Sequence, residues 1–239
     1  MQHSNKYILI YSIVMVVIVA VSLTIVAVQL KPAQDENIRI EKMQNILSSV
    51  NIPIAEIPKK EISALYDKYI TSAVAVNVKG EEVITDAAQV FKIEVVNEFK
   101  KPDDQQSLPV FIARLDNGDT AYVLPLRGKG LWGPIWGYIS LKSDFNTIYG
   151  AMFDHKGETP GLGAEIGQQW FIEPFKGKTI FDQNGKFTSI QIIKGGAADD
   201  NPHGVDAISG GTITSKGVEK MIFDNLGSYQ AFIQTHKNH

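Results

Sequence analysis

Tyr7 to Leu30 form 24 consecutive positions without Asp, Glu, Lys, Arg or His, most of them Ile, Val, Leu or Ala. As a helix the run would be about 36 Å long against a hydrocarbon core of about 30 Å, which predicts one membrane-spanning helix with some tilt. Its apolar part exceeds the roughly 7–15 residues of a secretory signal peptide. Only Lys6 precedes it as a side-chain charge, and Val26-Ala27-Val28 is a poor cleavage motif, so the run reads as an uncleaved anchor. Lys6 lies on one side of it and Lys31, Arg39 and Lys42 on the other, so the positive-inside rule does not orient it.

Beyond the anchor the pattern becomes helical. Ile38, Met43, Ile46, Leu47 and Val50 recur at helical spacing, as do Ile62, Leu65, Tyr66 and Tyr69, with Pro53 and Pro58 between the two groups. Two short helices are expected there. After Thr71 alternation takes over, predicting strands at 73–78, 90–96, 110–115, 121–126, 135–141, 147–153 and 187–193, and Asn117-Gly118 marks a hairpin. Helical patterns return at 164–171 and 216–233. Neighbouring hairpins with helices placed late indicate an α+β fold: a single N-terminal transmembrane helix, then a mixed, mainly antiparallel sheet with packed helices. The expected organisation is a short N-terminus at 1–6, the anchor at 7–30, a helical connector at 31–72 and a domain at 73–239.

Composition narrows the chemistry. Without its first 30 residues the chain keeps 209 residues carrying a formal charge of −4, enough for a sizeable core. No Lys/Arg run is longer than a pair such as Lys59-Lys60, so there is no electrostatic footprint for nucleic acid. The absence of cysteine excludes disulfides, thiolate metal sites and cysteine nucleophiles within the chain. There is no G-x-G-x-x-G and no P-loop.

Three glycine-rich segments carry the remaining signal. Asp206 to Ser215 holds Ser209-Gly210-Gly211-Thr212 just before an apolar helical pattern, with Thr214 or Ser215 as a natural N-cap. Glycines there permit a tight turn whose N–H groups, with the positive helix end, suit a phosphate. A plain glycine turn capping a helix has the same sequence. His155-Lys156-Gly157-Glu158-Thr159-Pro160-Gly161-Leu162-Gly163 follows a strand, where functional loops concentrate. His155 and Glu158 have no further ligands at metal-site spacing, and a structural turn is the competing reading. Gly128 to Gly137 places Trp132 and Trp136 in a glycine-rich entry to a strand; an indole there either stacks on a planar ring or joins the core.

Together the three segments resemble the covalent-FMN-binding family that includes the C subunit of the Na⁺-translocating NADH:quinone oxidoreductase and the G subunit of Rnf-type complexes. Ser209-Gly210-Gly211-Thr212, with Asp206 three residues before Ser209, is similar to the Asp-x-x-Ser/Thr-Gly-Ala-Thr sequence on which a flavin transferase attaches FMN, Gly211 standing where the family usually has Ala. His155 to Gly163 resembles the family's Glu-Thr-Pro-Gly-Leu-Gly loop. Gly130-Leu131-Trp132-Gly133-Pro134 and the single anchor are more similar to the C subunit than to the G subunit. The resemblance implies FMN linked as a phosphoester to Thr212, with Ser209, Gly210 and Gly211 shaping that loop and Asp206 serving transferase recognition. It further implies Leu162 and Trp132 as apolar ring contacts and Glu158, Thr159 and Gly161 as the loop shaping polar ones. Implied partners are the other membrane, flavin and iron–sulfur subunits of a respiratory complex and a maturing flavin transferase; the implied location is the bacterial inner membrane, with the N-terminus cytoplasmic and the domain extracytoplasmic. A non-redox anchored sensor or docking module is the reading from a different class.

Overall fold

The computed structural model describes residues 4–237; the ends of the expected 1–6 segment and of the C-terminus, 1–3 and 238–239, lie outside the described residues. The chain divides into two units, Met1–Lys42 and Met43–His239. In the first, the apolar run belongs to a helix, α1 (Asn5–Ser49), that passes without interruption through Pro32 into the second unit. The separate helix expected from Asp35 is therefore a continuation of this one. A proline removes one intrahelical hydrogen bond, and the helix continues through it, with Lys31 paired to Asp35 one turn on.

The second unit is built on a six-stranded antiparallel sheet in the order β2-β1-β3-β4-β5-β6. Its strands are β1 (Ile70–Val76), β2 (Glu82–Ile84), β3 (Leu108–Arg114), β4 (Thr120–Lys129), β5 (Pro134–Lys142) and β6 (Ile148–His155). A helix α2 (Lys59–Tyr69) leads into β1, as its periodicity predicts. β3 and β4 form the expected hairpin, closed by the Gly118 N–H on the Leu115 carbonyl with Gly118 at φ +86°. A small parallel pair, β7 (Gln191–Ile193) with β8 (Gly204–Asp206), lies apart from the main sheet. The α+β expectation with a mainly antiparallel sheet holds.

Several local expectations are corrected. In place of the strand expected at 90–96 stand two short helices, α3 (Ala87–Lys92) and α4 (Val95–Glu98), separated at Ile93 and Glu94; the Asp86 carboxylate accepts the Gln89 N–H and starts α3. At 187–193 only the last three residues pair as a strand; Ser189 sits at φ +59°, which no regular strand accommodates. The pattern at 164–171 resolves into a 3₁₀ turn, Gly163–Gly167, and a short helix α5 (Gln169–Ile172). The late helix splits into α6 (Thr212–Ser228) and α7 (Gln230–Lys237) around Tyr229, which is fully buried and donates its hydroxyl to the Pro109 carbonyl.

Leu124, Leu126, Ile135, Ile139 and Phe153 of the sheet pack with Val218, Met221, Ile222 and Leu226 of α6 in one core. Two glycines allow α6 to lie close along β4: a Cβ at Gly128 would meet Met221 Cβ at 2.7 Å, and one at Gly217 the Lys129 carbonyl oxygen at 2.5 Å. Asn225 accepts the Arg127 N–H and fixes the register of helix on strand. The start of α6 is thereby delivered beside the end of β4.

The end of α1 belonging to the second unit is also received by a glycine. Ser49 and Gly150 approach so closely that a Cβ on Gly150 would stand 2.5 Å from the Ser49 carbonyl oxygen, towards which the buried Ser140 hydroxyl donates. Gly150→Ala is therefore expected to destabilise the full-length chain by about 1–3 kcal/mol, read as a lowered unfolding midpoint in detergent by circular dichroism; an unchanged midpoint would refute this packing.

Candidate functional site

The three glycine-rich segments converge on one buried side chain. Glu158, 4% exposed, accepts hydrogen bonds from Trp132 N–H at 2.8 Å and from Leu131 and Gly133 N–H at 3.3 Å each. The Thr214 hydroxyl, in the first turn of α6, donates to Oε2 at 2.6 Å. One carboxylate thus fastens the β4–β5 turn, the loop after β6 and the start of α6. The turn is closed on itself by Gly130 N–H to the Gly133 carbonyl at 2.8 Å. Two glycines make room for the carboxylate: a Cβ on Gly130 would lie 2.6 Å from Glu158 Oε1, and one on Gly163 2.6 Å from Oε2 and 2.5 Å from Thr214 Oγ1.

Burial raises the Glu158 carboxyl pKa, but the Thr214 hydroxyl and the backbone donors of Trp132, Leu131 and Gly133 outweigh it and hold the group below its ordinary range. Glu158 is thus an anion across the neutral range. Its own N–H donates to His155 Nδ1 at 3.1 Å, which gives His155 a structural task in the loop. Among the described residues no three His, Cys, Asp or Glu side chains cluster as a metal site.

Between the three loops lies a cleft of about 250 Å³. Trp132, Glu158, Thr159, Leu162, Gly210, Gly211 and Thr212 line it, all anticipated from the sequence. Thr212 is the first residue of α6, with Gly211 at the N-cap position. This moves the expected cap from Thr214 or Ser215, because Gly210 at φ +74° turns the chain directly into the helix. Thr214 is committed to Glu158, and Ser215 reaches back to accept the Ile208 N–H. The first N–H bonded within this end of the helix is that of Ser215, to the Gly211 carbonyl; the Gly211 N–H is bonded to the Ile208 carbonyl, which leaves those of Thr212, Ile213 and Thr214 as the orphan donors of a helix start.

Other anticipated residues stand elsewhere. Ser209 is exposed and outside the cleft lining; Gly161, at φ +74°, shapes the loop with its N–H on Glu165. Asp206 ends β8 and accepts the Ala197 N–H at 2.7 Å, pinning the turn after Gly195-Gly196. Trp136 is neither in the core nor in the cleft: it lies half-buried on the sheet beneath the Arg127 guanidinium, 5.3 Å from its ring. Trp132 is not a core residue either, being 70% exposed at the mouth of the cleft. Leu131, Gly163, Ile213 and Thr214 also line it. The signal for Leu131 and Ile213 is their place beside Trp132 and Thr212: large apolar residues inside glycine turns have no core to enter.

The cleft therefore combines a helix start with its free donors and the half-buried residue Thr212, and walls of exposed apolar side chains: Leu131 47%, Trp132 70%, Leu162 41% and Ile213 60% exposed. These features suit an amphiphile with a phosphate at one end and a planar apolar ring at the other. A family model for the FMN-binding domain matches residues 130–226, which span all three loops.

The chain is 32% identical to the C subunit of the Na(+)-translocating NADH-quinone reductase of Pseudomonas aeruginosa, over 97% of this chain and 96% of that protein. It is 33% identical to the C subunit of the same enzyme from Neisseria meningitidis serogroup B, over 87% of each. The crystal structure of the C subunit from Parabacteroides distasonis superposes with a TM-score of 0.76 at 45% identity, covering 85% of this chain and 96% of that one. That of Shewanella oneidensis NqrC gives 0.71 at 28% identity, covering 84% and 98%. The chain belongs to the C-subunit family of the Na⁺-translocating NADH-quinone reductase and carries its FMN-binding domain.

Because the folded-state pKa of Glu158 is depressed, its contribution to stability is present above the unfolded glutamate value of about 4.3 and is lost as pH falls through the lower folded value. Glu158→Gln should cost about 1.5–3 kcal/mol at neutral pH, and its deficit should shrink on acidification. Unfolding midpoints of both proteins at neutral and acid pH check this; a deficit that grows at low pH would refute it.

Proposed function

We propose that this chain is the FMN-carrying electron-transfer subunit of its sodium-translocating complex, with FMN attached through a phosphoester to the Thr212 hydroxyl. The observation that supports this best is the convergence at one cleft of an accessible threonine, a helix start and exposed apolar walls. Thr212 Oγ1 takes over the FMN phosphoryl group from FAD, AMP leaves, and the hydroxyl proton is released; a separate flavin transferase performs this step, with Asp206 in its recognition sequence. A phosphoester monoanion on Thr212 would be held at the N-terminus of α6, where orphan N–H groups and the helix dipole favour negative charge.

FMN supplies the redox chemistry, taking up and releasing electrons. The residues of this chain hold and orient it. Trp132 and Leu162, with Leu131 and Ile213, offer apolar faces, and the Thr159–Gly161 loop shapes the edge of the cleft. Glu158 keeps these walls in fixed relation to Thr212. Electron donors and acceptors are the flavin and iron–sulfur centres of the other subunits. Coverage of whole C-subunit relatives favours this complex over an Rnf-type one. The apolar helix α1 anchors the chain in the bacterial inner membrane, and the domain lies on the extracytoplasmic side.

Co-expression of the full chain with a flavin transferase, followed by denaturing electrophoresis, should give a fluorescent band. The band should disappear in Thr212→Ala and persist in Ser209→Ala, whose hydroxyl is the exposed neighbour. A wild-type chain without fluorescence, or a Thr212→Ala chain that keeps it, would refute the attachment. For topology, an alkaline phosphatase fusion after His239 should be active and a green fluorescent protein fusion dark; the reverse would place the domain in the cytoplasm.

A further inference from the structure

Glu158 is the only ionisable residue lining the cleft among the described residues; no lysine or arginine lines it. Among the other ionisable side chains of the surrounding loops, Glu165 bonds the Gly161 N–H and the Trp170 indole, Asp206 the Ala197 N–H, and Lys216 pairs with Glu219; Lys129 and Lys156 are solvent-exposed and outside the cleft lining, where water screens their charge. The Glu158 charge is buried, held by four donors, and fastened on both sides of the space that a ring would fill. The carboxylate itself is 4% exposed, so its charge is screened less than a charge in open solvent. The cleft therefore carries one fixed negative charge and no lining cation to balance it.

We infer that Glu158 is a positioning residue with a second role: its charge sets the reduction potential of the flavin, keeping it low. This rests on the reading that FMN attached at Thr212 occupies the cleft. An electron entering the ring without a proton adds one negative charge beside Glu158, and the repulsion lowers the potential of that couple; an electron entering with a proton adds no net charge and is little affected. A low potential eases onward delivery of the electron. Glu158 thus performs two tasks through one group, geometric through its hydrogen bonds and electrostatic through its charge.

The test is an equilibrium redox titration, followed by flavin absorbance, of the flavin-labelled full-length chain in detergent. Glu158→Gln should raise the potential of the first electron by at least about tenfold in equilibrium constant, about 59 mV for one electron. Glu158→Asp, which keeps the charge, should stay near wild type. A labelled Glu158→Gln protein with wild-type potential would overturn the inference, as would equal shifts in the Asp and Gln variants; either leaves the Thr212 band, and so the flavin reading, standing. An unlabelled wild-type chain overturns both. Should Glu158→Gln fail to take up flavin, Ile213→Lys places a cation on an exposed part of the same cleft; an upward shift supports the inference and no shift overturns it.

Discussion

The site is assembled around a single buried carboxylate. Glu158 lies 26 positions from Trp132 and 56 from Thr214 in sequence, and it bonds to both. Loops rich in glycine lose much conformational entropy on ordering, so a site made of three such loops needs a tie stronger than ordinary turn hydrogen bonds. An ionised acceptor supplies it, because hydrogen bonds to a charged group are shorter and stronger than neutral ones. A glutamine could not substitute fully. Its amide presents one acceptor oxygen, and its NH₂ would confront some of the N–H donors that now converge on the carboxylate.

The tie works only because the core brings its parts within reach. Close approach of α6 to β4, permitted by Gly128 and Gly217, sets the start of the helix beside the β4–β5 turn. The same contact leaves the first residue of α6, Thr212, at the rim, while Thr214, two residues on, faces inward to Glu158. Two hydroxyls so near in sequence thereby have different fates, one committed and one accessible. Helix geometry explains the difference, since residues two apart project roughly 200° apart around the axis.

Much of the fold and the site is legible in the residues themselves, for physical reasons that can be named. The apolar run, the β3–β4 hairpin and the glycine loops each write their constraint locally: absence of charge over a bilayer's thickness, an Asn-Gly turn, backbone freedom at fixed points. Residues 90–96 mislead because Val95 and Val96 favour strands, while the cap at Asp86 that starts the helix preceding them is one side chain that composition outweighs. Tyr229 interrupts the late helix through burial and a hydrogen bond to Pro109, 120 positions away, and no local pattern carries such a partner. The family resemblance implies Glu158 only as part of a loop shaping polar ring contacts, and its role as the tie depends on the three donors of the β4–β5 turn, which are backbone groups and so leave no trace in residue identity. Gly211, the one departure from the resembled attachment sequence, also gains a reason. A Cβ there would come within 2.8 Å of Ile208 Cγ2, so the smaller residue fits this chain's own neighbour.

The exposed walls of the cleft bear on why the proposed covalent bond would suit this site. Leu131, Trp132, Leu162 and Ile213 are held open to water by the Glu158 tie, which disfavours the collapse that would otherwise hide them. An open cleft of this kind places a ring without enclosing it, and a ligand held by partial burial alone dissociates readily, since only the surplus over the cost of immobilisation appears as affinity. Enclosure would raise affinity and also bury the ring edge away from the next redox centre. The proposed phosphoester at Thr212 would separate the two requirements: the bond would secure retention, while the half-open walls would be left to govern orientation and access.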